Sequence, residues 1–174
     1  MRIGVISDTH GRLDEETIAL LGGVDHIVHA GDIGNETILD RLRGIAPLTA
    51  VAGNIDGFRC GDAGTEARVE LDGLKLYVTH ILDRPSQPLE EVRTALRTAP
   101  ADIVVFGHSH LPHNETIDGV LFFNPASAGP RRFDYPRSIG MIEVTGPGRM
   151  RAWHLPLDER SDEAIGRYMN QLSR

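Results

Sequence analysis

Five short stretches of this sequence present side chains that bind divalent metals: Asp8-Thr9-His10, Gly31-Asp32, Gly53-Asn54, His80 and Gly107-His108-Ser109-His110. Mixed carboxylate and imidazole ligands favour Mn²⁺, Fe, Zn²⁺ or Ni²⁺ over Ca²⁺, which prefers oxygen alone. Each stretch by itself also has a plain structural reading. Asp8 could cap a helix, Gly31-Asp32 and Gly53-Asn54 are common turn sequences, and a lone His80 could be a satisfied core histidine. His108-Ser109-His110 resists that treatment, because two imidazoles flank one small residue at the end of an apolar run. Together, seven side chains with one carboxylate shared make two sets of four ligands. Two ions about 3.5–4 Å apart, bridged by a carboxylate, form the clamp used for in-line displacement at phosphorus.

Such a set needs strands that end together. Arg2 to Ser7, His26 to Ala30, Leu48 to Ala52, Leu74 to Thr79 and Asp102 to Phe106 are short apolar runs, and each delivers one of the five stretches. Alternation along the first strand predicts that Asp8 and His10, two apart, converge on one point. Helices are predicted over Leu13 to Leu21, behind Asn35 with Ile38, Leu39 and Leu42, from Pro88 with Leu89, Val92 and Leu96, and behind Ser161 with Ile165, Met169 and Leu172. Asp72-Gly73 and Asp118-Gly119 signal two hairpins, and Gly146-Pro147-Gly148 joins two last strands, near Ser138 to Val144 and Met150 to Leu155. Strand-helix alternation in the first half and hairpins in the second predict an α/β sandwich of two mixed sheets with helices outside. No repeat or linker divides residues 1–174, so a single domain is expected.

Composition narrows the partners. Eighteen basic against 25 acidic residues leave a net charge of −7. With no basic stripe, broad nucleic-acid binding is not expected. An anionic substrate is still admissible, because bound metal ions reverse the local field. Cys60 is the only cysteine, which excludes a disulfide framework. The N-terminus shows neither a signal-peptide pattern nor a long apolar span, so a cytoplasmic protein without membrane attachment is expected, with homo-oligomerisation open. His26, His29, His113 and His154 read as packing or supporting residues, with a substrate-side role open for His113. Asp56 is a candidate to orient the Asn54 loop.

In order, Asp-x-His, Gly-Asp, Gly-Asn-x-Asp, a strand-end His and Gly-His-x-His resemble the calcineurin-like metallophosphoesterase superfamily, most closely its small prokaryotic YfcE-type phosphodiesterases. Asn124-Pro125-x-Ser127 and Pro130-Arg131 fit the same branch. The resemblance implies a four-layer α/β/β/α sandwich and two divalent ions, Mn²⁺ foremost. Asp8, His10 and His110 would hold one ion, Asn54, His80 and His108 the other, and Asp32 would bridge them. It further implies hydrolysis of a small phosphodiester or phosphomonoester by a metal-bridging hydroxide, with Asp32, Asn54 and His108 as catalytic residues. Asn54 and Arg131 (or its neighbour Arg132) would meet substrate. A protein-binding scaffold on the same fold and a phosphomonoesterase or nuclease are the alternatives.

Two positions depart from the pattern. Ile55 stands where many relatives carry a histidine that protonates the leaving group, or a cysteine in this branch. A missing proton donor typically costs about 10²–10⁴-fold, so good leaving groups are expected. Ile81 and Leu82 follow His80 where glycine is usual, which reshapes the mouth of the site.

Overall fold

The first strand, β1 (Arg2–Ile6), is buried from Ile3 onward, and the candidate ligands gather beyond its C-terminal end. The computed structural model describes residues 1–57, 59–146 and 149–172, without the side chains of 171 and 172. After β1 come α1 (Glu15–Leu20), β2 (His26–Ala30), α2 (Glu36–Arg43) and β3 (Leu48–Val51). The hairpin β4 (Glu66–Leu71) and β5 (Leu74–Thr79) follows, then a small ribbon of β6 (Asp83–Arg84) and β7 (Gln87–Pro88), and α3 (Glu90–Thr98). The chain ends with β8 (Ile103–Val105), β9 (Pro112–Ile117), β10 (Val120–Pro125), β11 (Ser138–Gly146), β12 (Arg149–Pro156) and α4 (Glu159–Leu172).

Two five-stranded sheets result, ordered β12-β11-β1-β2-β3 and β4-β5-β8-β10-β9. In the first, β1, β2 and β3 run parallel, and β11 is antiparallel to β1 and β12. In the second, β5, β8 and β10 run parallel, with β4 and β9 antiparallel at the edges. Both sheets are mixed, as the sequence pattern requires.

The period of two along each strand builds the layers. Ile3 and Val5 face Leu76, Val78, Ile103, Val105 and Phe123 between the sheets. Ile6 faces the other way, into a cluster with Leu21, Leu39 and Leu42 beneath α1 and α2. Tyr77, Val104 and Phe122 point outward from the second sheet onto Val92 of α3. The order helix, sheet, sheet, helix is the predicted four-layer sandwich. No helix among the described residues is long and apolar enough to cross a membrane.

Local chemistry accounts for most boundaries. Both hairpins turn through two left-handed residues, Asp72 (φ 52°) with Gly73 (80°) and Asp118 (50°) with Gly119 (84°), as type I′ turns require. Asn35 Oδ1 accepts from Thr37 N at 2.9 Å and caps α2, a contact worth about 1 kcal/mol.

Two helix starts differ from the prediction. Pro88 is consumed by the β6–β7 ribbon, where it pairs with Asp83, and α3 begins only at Glu90. Asp158, not Ser161, caps α4, accepting from Ser161 N at 2.9 Å. A carboxylate at the positive end of the helix is the stronger cap, and it leaves the Ser161 hydroxyl for other partners. Pro147 and Gly148 of the last turn, and the Leu172 side chain, lie outside the described residues.

Candidate metal centre

The ligand residues sit where β1, β2, β3, β5 and β8 end, at the carboxyl edges of strands that run parallel within their sheets. Open α/β sheets place their ligands at such edges. Ten non-glycine described residues adopt positive φ, and five of them are candidate ligands: Asp8 (54°), His10 (48°), Asp32 (54°), His108 (68°) and His110 (58°). Each such residue costs about 1–3 kcal/mol, and functional sites are where that strain concentrates. It also changes the reason for convergence. β1 has already ended at Ile6, so Asp8 and His10 meet through left-handed turns rather than through strand alternation.

Two glycines permit the close approach of these loops. A Cβ on Gly53 would collide with the Asp32 carboxylate, and one on Gly107 with Ser7 Oγ and Asp8 Oδ2.

A chain of short distances links all seven residues. Asp8 Oδ1 lies 3.2 Å from His110 Nε2, which lies 3.2 Å from His10 Nε2. His10 Nε2 is 3.8 Å from Asp32 Oδ2, and Asp32 Oδ1 is 3.3 Å from His80 Nε2. Asn54 Oδ1 then lies between His80 Nε2 at 3.1 Å and His108 Nδ1 at 2.9 Å. The two oxygens of Asp32 thus face different halves of the cluster. Asp8 is shared as well: it groups with His10 and His110, and with Asp32 and His80, one donor atom per residue within 4.8 Å.

Asp8 Oδ1 supplies the test of whether an ion fits. It is buried and has no hydrogen-bond partner among the described residues, although His110 Nε2 is near. Its sister oxygen accepts from Ser7 Oγ at 2.7 Å and from His108 N at 3.1 Å. A buried carboxylate oxygen left without a partner is costly, and a cation among two imidazoles is what it lacks. The donor set therefore fits divalent metal.

Burial alone would raise the Asp32 carboxyl, but His80 and the Ile55 N–H (3.0 Å) outweigh it and hold Asp32 down to about 2. Burial lowers His80, but Asp32, Asp8 and the Ala30 carbonyl together outweigh it, and the imidazole sits above its usual value.

Supporting residues fall around this core. Asp56 accepts three backbone N–H groups, from Gly53 (2.8 Å), Ile33 (2.9 Å) and Gly34 (2.7 Å), and so ties the Asn54 loop to the Asp32 loop. His29 is fully buried, accepts from Gly31 N at Nδ1, and lies 3.0 Å from Thr9 Oγ1; burial pushes it down to about 4. His154 stacks on Phe123 and meets Asn124 O at 2.8 Å, His26 meets Thr49, and His113 packs against Phe106. Cys60 is a buried free thiol.

The two arginines differ in their contacts. Arg131, expected at the substrate, is committed elsewhere: its guanidinium binds Asp158 (2.6 Å), Ser161 and Tyr135 O. Arg132 instead reaches 3.4 Å from His10 Nδ1 and makes no ion pair among the described residues. Their adjacency gave no signal for choosing between them. Ser7 was missed too; a serine closing an apolar strand was the available hint.

A two-sheet α/β sandwich with carboxylates and imidazoles gathered at its strand ends defines a metal-dependent hydrolase scaffold. A family model described as the calcineurin-like phosphoesterase superfamily domain matches residues 1–146, and the chain belongs to that family. A phosphodiesterase of Methanocaldococcus jannaschii is 30% identical over 161 residues, 83% of this chain and 93% of its own length. The solved structure of YfcE, a phosphoesterase from E. coli, aligns with a TM-score of 0.61 at 24% identity, over 82% of this chain and 88% of that one. Vps29 of Entamoeba histolytica, solved with Zn²⁺, aligns with a TM-score of 0.69 at 18% identity, over 91% of this chain and all of its own, a likeness of fold alone.

Proposed function

We propose that this chain is a dinuclear metal-dependent phosphoesterase whose preferred substrates are small phosphodiesters. The observation that carries the proposal is the unpartnered Asp8 Oδ1, shared by the groups Asp8-His10-His110 and Asp8-Asp32-His80, with Asn54 and His108 continuing the set beyond His80. Asp8, His10 and His110 would hold one ion and Asn54, His80 and His108 the other, with Asp32 between them and Mn²⁺ as the first candidate. When bound, such ions supply Lewis-acid charge for the phosphoryl oxygens and make water a stronger nucleophile.

The chain's own residues do the rest. Ser7 and the His108 N–H fix Asp8, Ile55 N fixes Asp32, and Asp56 holds the Asn54 loop, so the donors are oriented before substrate arrives. Asn54 and His108 lie at the open side of the cluster, where a phosphoryl oxygen could meet them. Arg132, free of carboxylates, is the substrate-side guanidinium in place of Arg131. Ile55 offers no proton, so the leaving group must be acidic enough to depart as an anion. That requirement, and the similarity to a phosphodiesterase, favour activated diesters over alkyl monoesters.

A non-catalytic scaffold is the second reading, favoured by the exposed Ile55, Ile81 and Phe133. The intact donor set weighs against it. The deciding experiment strips the protein with a chelator, restores Mn²⁺ and follows bis(4-nitrophenyl) phosphate. Turnover should return with Mn²⁺ and be lost in Asp32→Ala; a protein that binds Mn²⁺ but never turns over is a scaffold.

A further inference from the structure

Asn54 and His80 border more than the cluster. A cavity of about 230 Å³ opens beside them, with Ala52, Gly53, Thr65, Thr79 and Ile81 completing most of its wall. Among the described residues no Asp, Glu, Lys or Arg lines it, and its exposed lining is mostly apolar. Its volume is below the roughly 300–1,000 Å³ of pockets that enclose drug-sized ligands, so it suits one ring-sized group.

Gly53 presents only backbone to this space, and a Cβ there would meet Asp32. Leu82 turns into the core at 1% exposure, while Ile81, next to His80, remains 36% exposed against the cavity. Ile55, next to Asn54, is 49% exposed. Single exposed apolar residues are ordinary, but here one flanks each of two candidate ligands.

We infer that this cavity holds the uncharged aromatic group of a phosphate ester whose phosphoryl group lies on the donor cluster. The inference rests on the phosphoesterase reading of that cluster. A second phosphate or a carboxylate would find no Lys or Arg among the described residues of the wall, where His80 already faces Asp32 and Asn54. An aryl ring would instead bury apolar surface against Ile81 and Ala52. An aryl alcohol is also acidic enough to leave without the proton that Ile55 cannot give.

Calorimetry on the Mn²⁺-loaded protein, with phenylphosphonate and methylphosphonate compared at a pH where both are dianions, reads the cavity apart from turnover. Phenylphosphonate should bind about tenfold tighter, since the gain scales with apolar area removed from water. In Thr65→Trp, which fills the space, and in Ile81→Gln, which removes its apolar rim, the phenyl-to-methyl ratio should fall towards one. Should Thr65→Trp not fold, Ile81→Gln carries the comparison. Equal affinities in the parent protein, or a ratio unchanged in the variants, would overturn the aryl subsite and leave the phosphoesterase reading standing. If the Mn²⁺-loaded protein binds neither phosphonate, the phosphoesterase reading falls and the subsite falls with it.

Discussion

The backbone N–H of His108 donates to Asp8 Oδ2 at 3.1 Å, joining the end of β8 in one sheet to the end of β1 in the other. That bond fixes one oxygen of Asp8 and leaves Oδ1 facing His110 without a hydrogen bond. Metal binding should therefore act as a clamp between the two sheets. A ligand at about 100 times its dissociation constant stabilises the native state by about 2.7 kcal/mol. Thermal unfolding with saturating Mn²⁺ against excess chelator should show an increment of that order. In Asp8→Ala the increment should shrink by the share of the ion that Asp8 would hold, and the metal-free form should also lose the His108 contact. An unchanged increment in that variant would remove Asp8 from the donor set.

Arg131 and Arg132 are neighbours with different contacts, Arg131 on Asp158 and Arg132 beside His10. Arg131 closes its loop through Asp158, Ser161 and Tyr135 O, so Arg131→Ala should lower stability by about 1–2 kcal/mol in a partly exposed setting and leave phosphate binding intact. Arg132→Ala should leave the unfolding midpoint in place and raise the inhibition constant for inorganic phosphate by about tenfold, the usual scale of one charge-assisted contact. Phosphate inhibition and urea unfolding on both variants test the pair. The opposite pattern would return the substrate role to Arg131.

The two sheets were legible because their signals are local. Asp-Gly turns set the hairpins, and apolar runs of four to six residues ending on polar side chains set the parallel strands. The donor set was legible because its residue types are rare at strand ends. The choice between Arg131 and Arg132 was not, because it depends on Asp158 and Ser161, far along the chain. The cap of α4 was misread for a related reason: Asp158 and Ser161 both suit a helix start, and only the contacts with Arg131 and Arg137 N assign each its part. The left-handed turns that make Asp8 and His10 converge also leave no trace in composition, since Asp and His tolerate them without glycine.

Asp56 binds neither the cluster nor the cavity, yet it accepts N–H groups from Gly53, Ile33 and Gly34. Removing a charged acceptor of three backbone donors should cost about 2 kcal/mol or more. Its effect on the site should exceed its effect on the fold, because those donors lie beside Asp32 and Asn54. Asp56→Ala should weaken Mn²⁺ binding, read by calorimetry, while Asp56→Asn, which keeps one acceptor oxygen, should recover part of it. If both variants bind Mn²⁺ as the parent does, Asp56 serves the fold alone.

His154 gives the metal-free protein a pH dependence. Burial holds its folded value down to about 4, against 6.5 for the free side chain, with the ring stacked on Phe123 and Nε2 against Asn124 O. Above pH 6.5 the ring is neutral in both folded and unfolded chains, so it takes nothing from stability. As the pH falls below 6.5, the unfolded chain binds a proton that the folded chain refuses until about pH 4. The unfolded state then binds more protons, so stability is lost progressively across that window. The full shift corresponds to about 3 kcal/mol. Urea unfolding in chelator at intervals from pH 7.5 to 4.5 should show the decline, and His154→Gln, which can still donate to Asn124 O, should flatten it. His29, with its own value at about 4, keeps part of the slope in that variant. Parallel curves for parent and variant would show that His154 is protonated in the folded protein as readily as in the unfolded one.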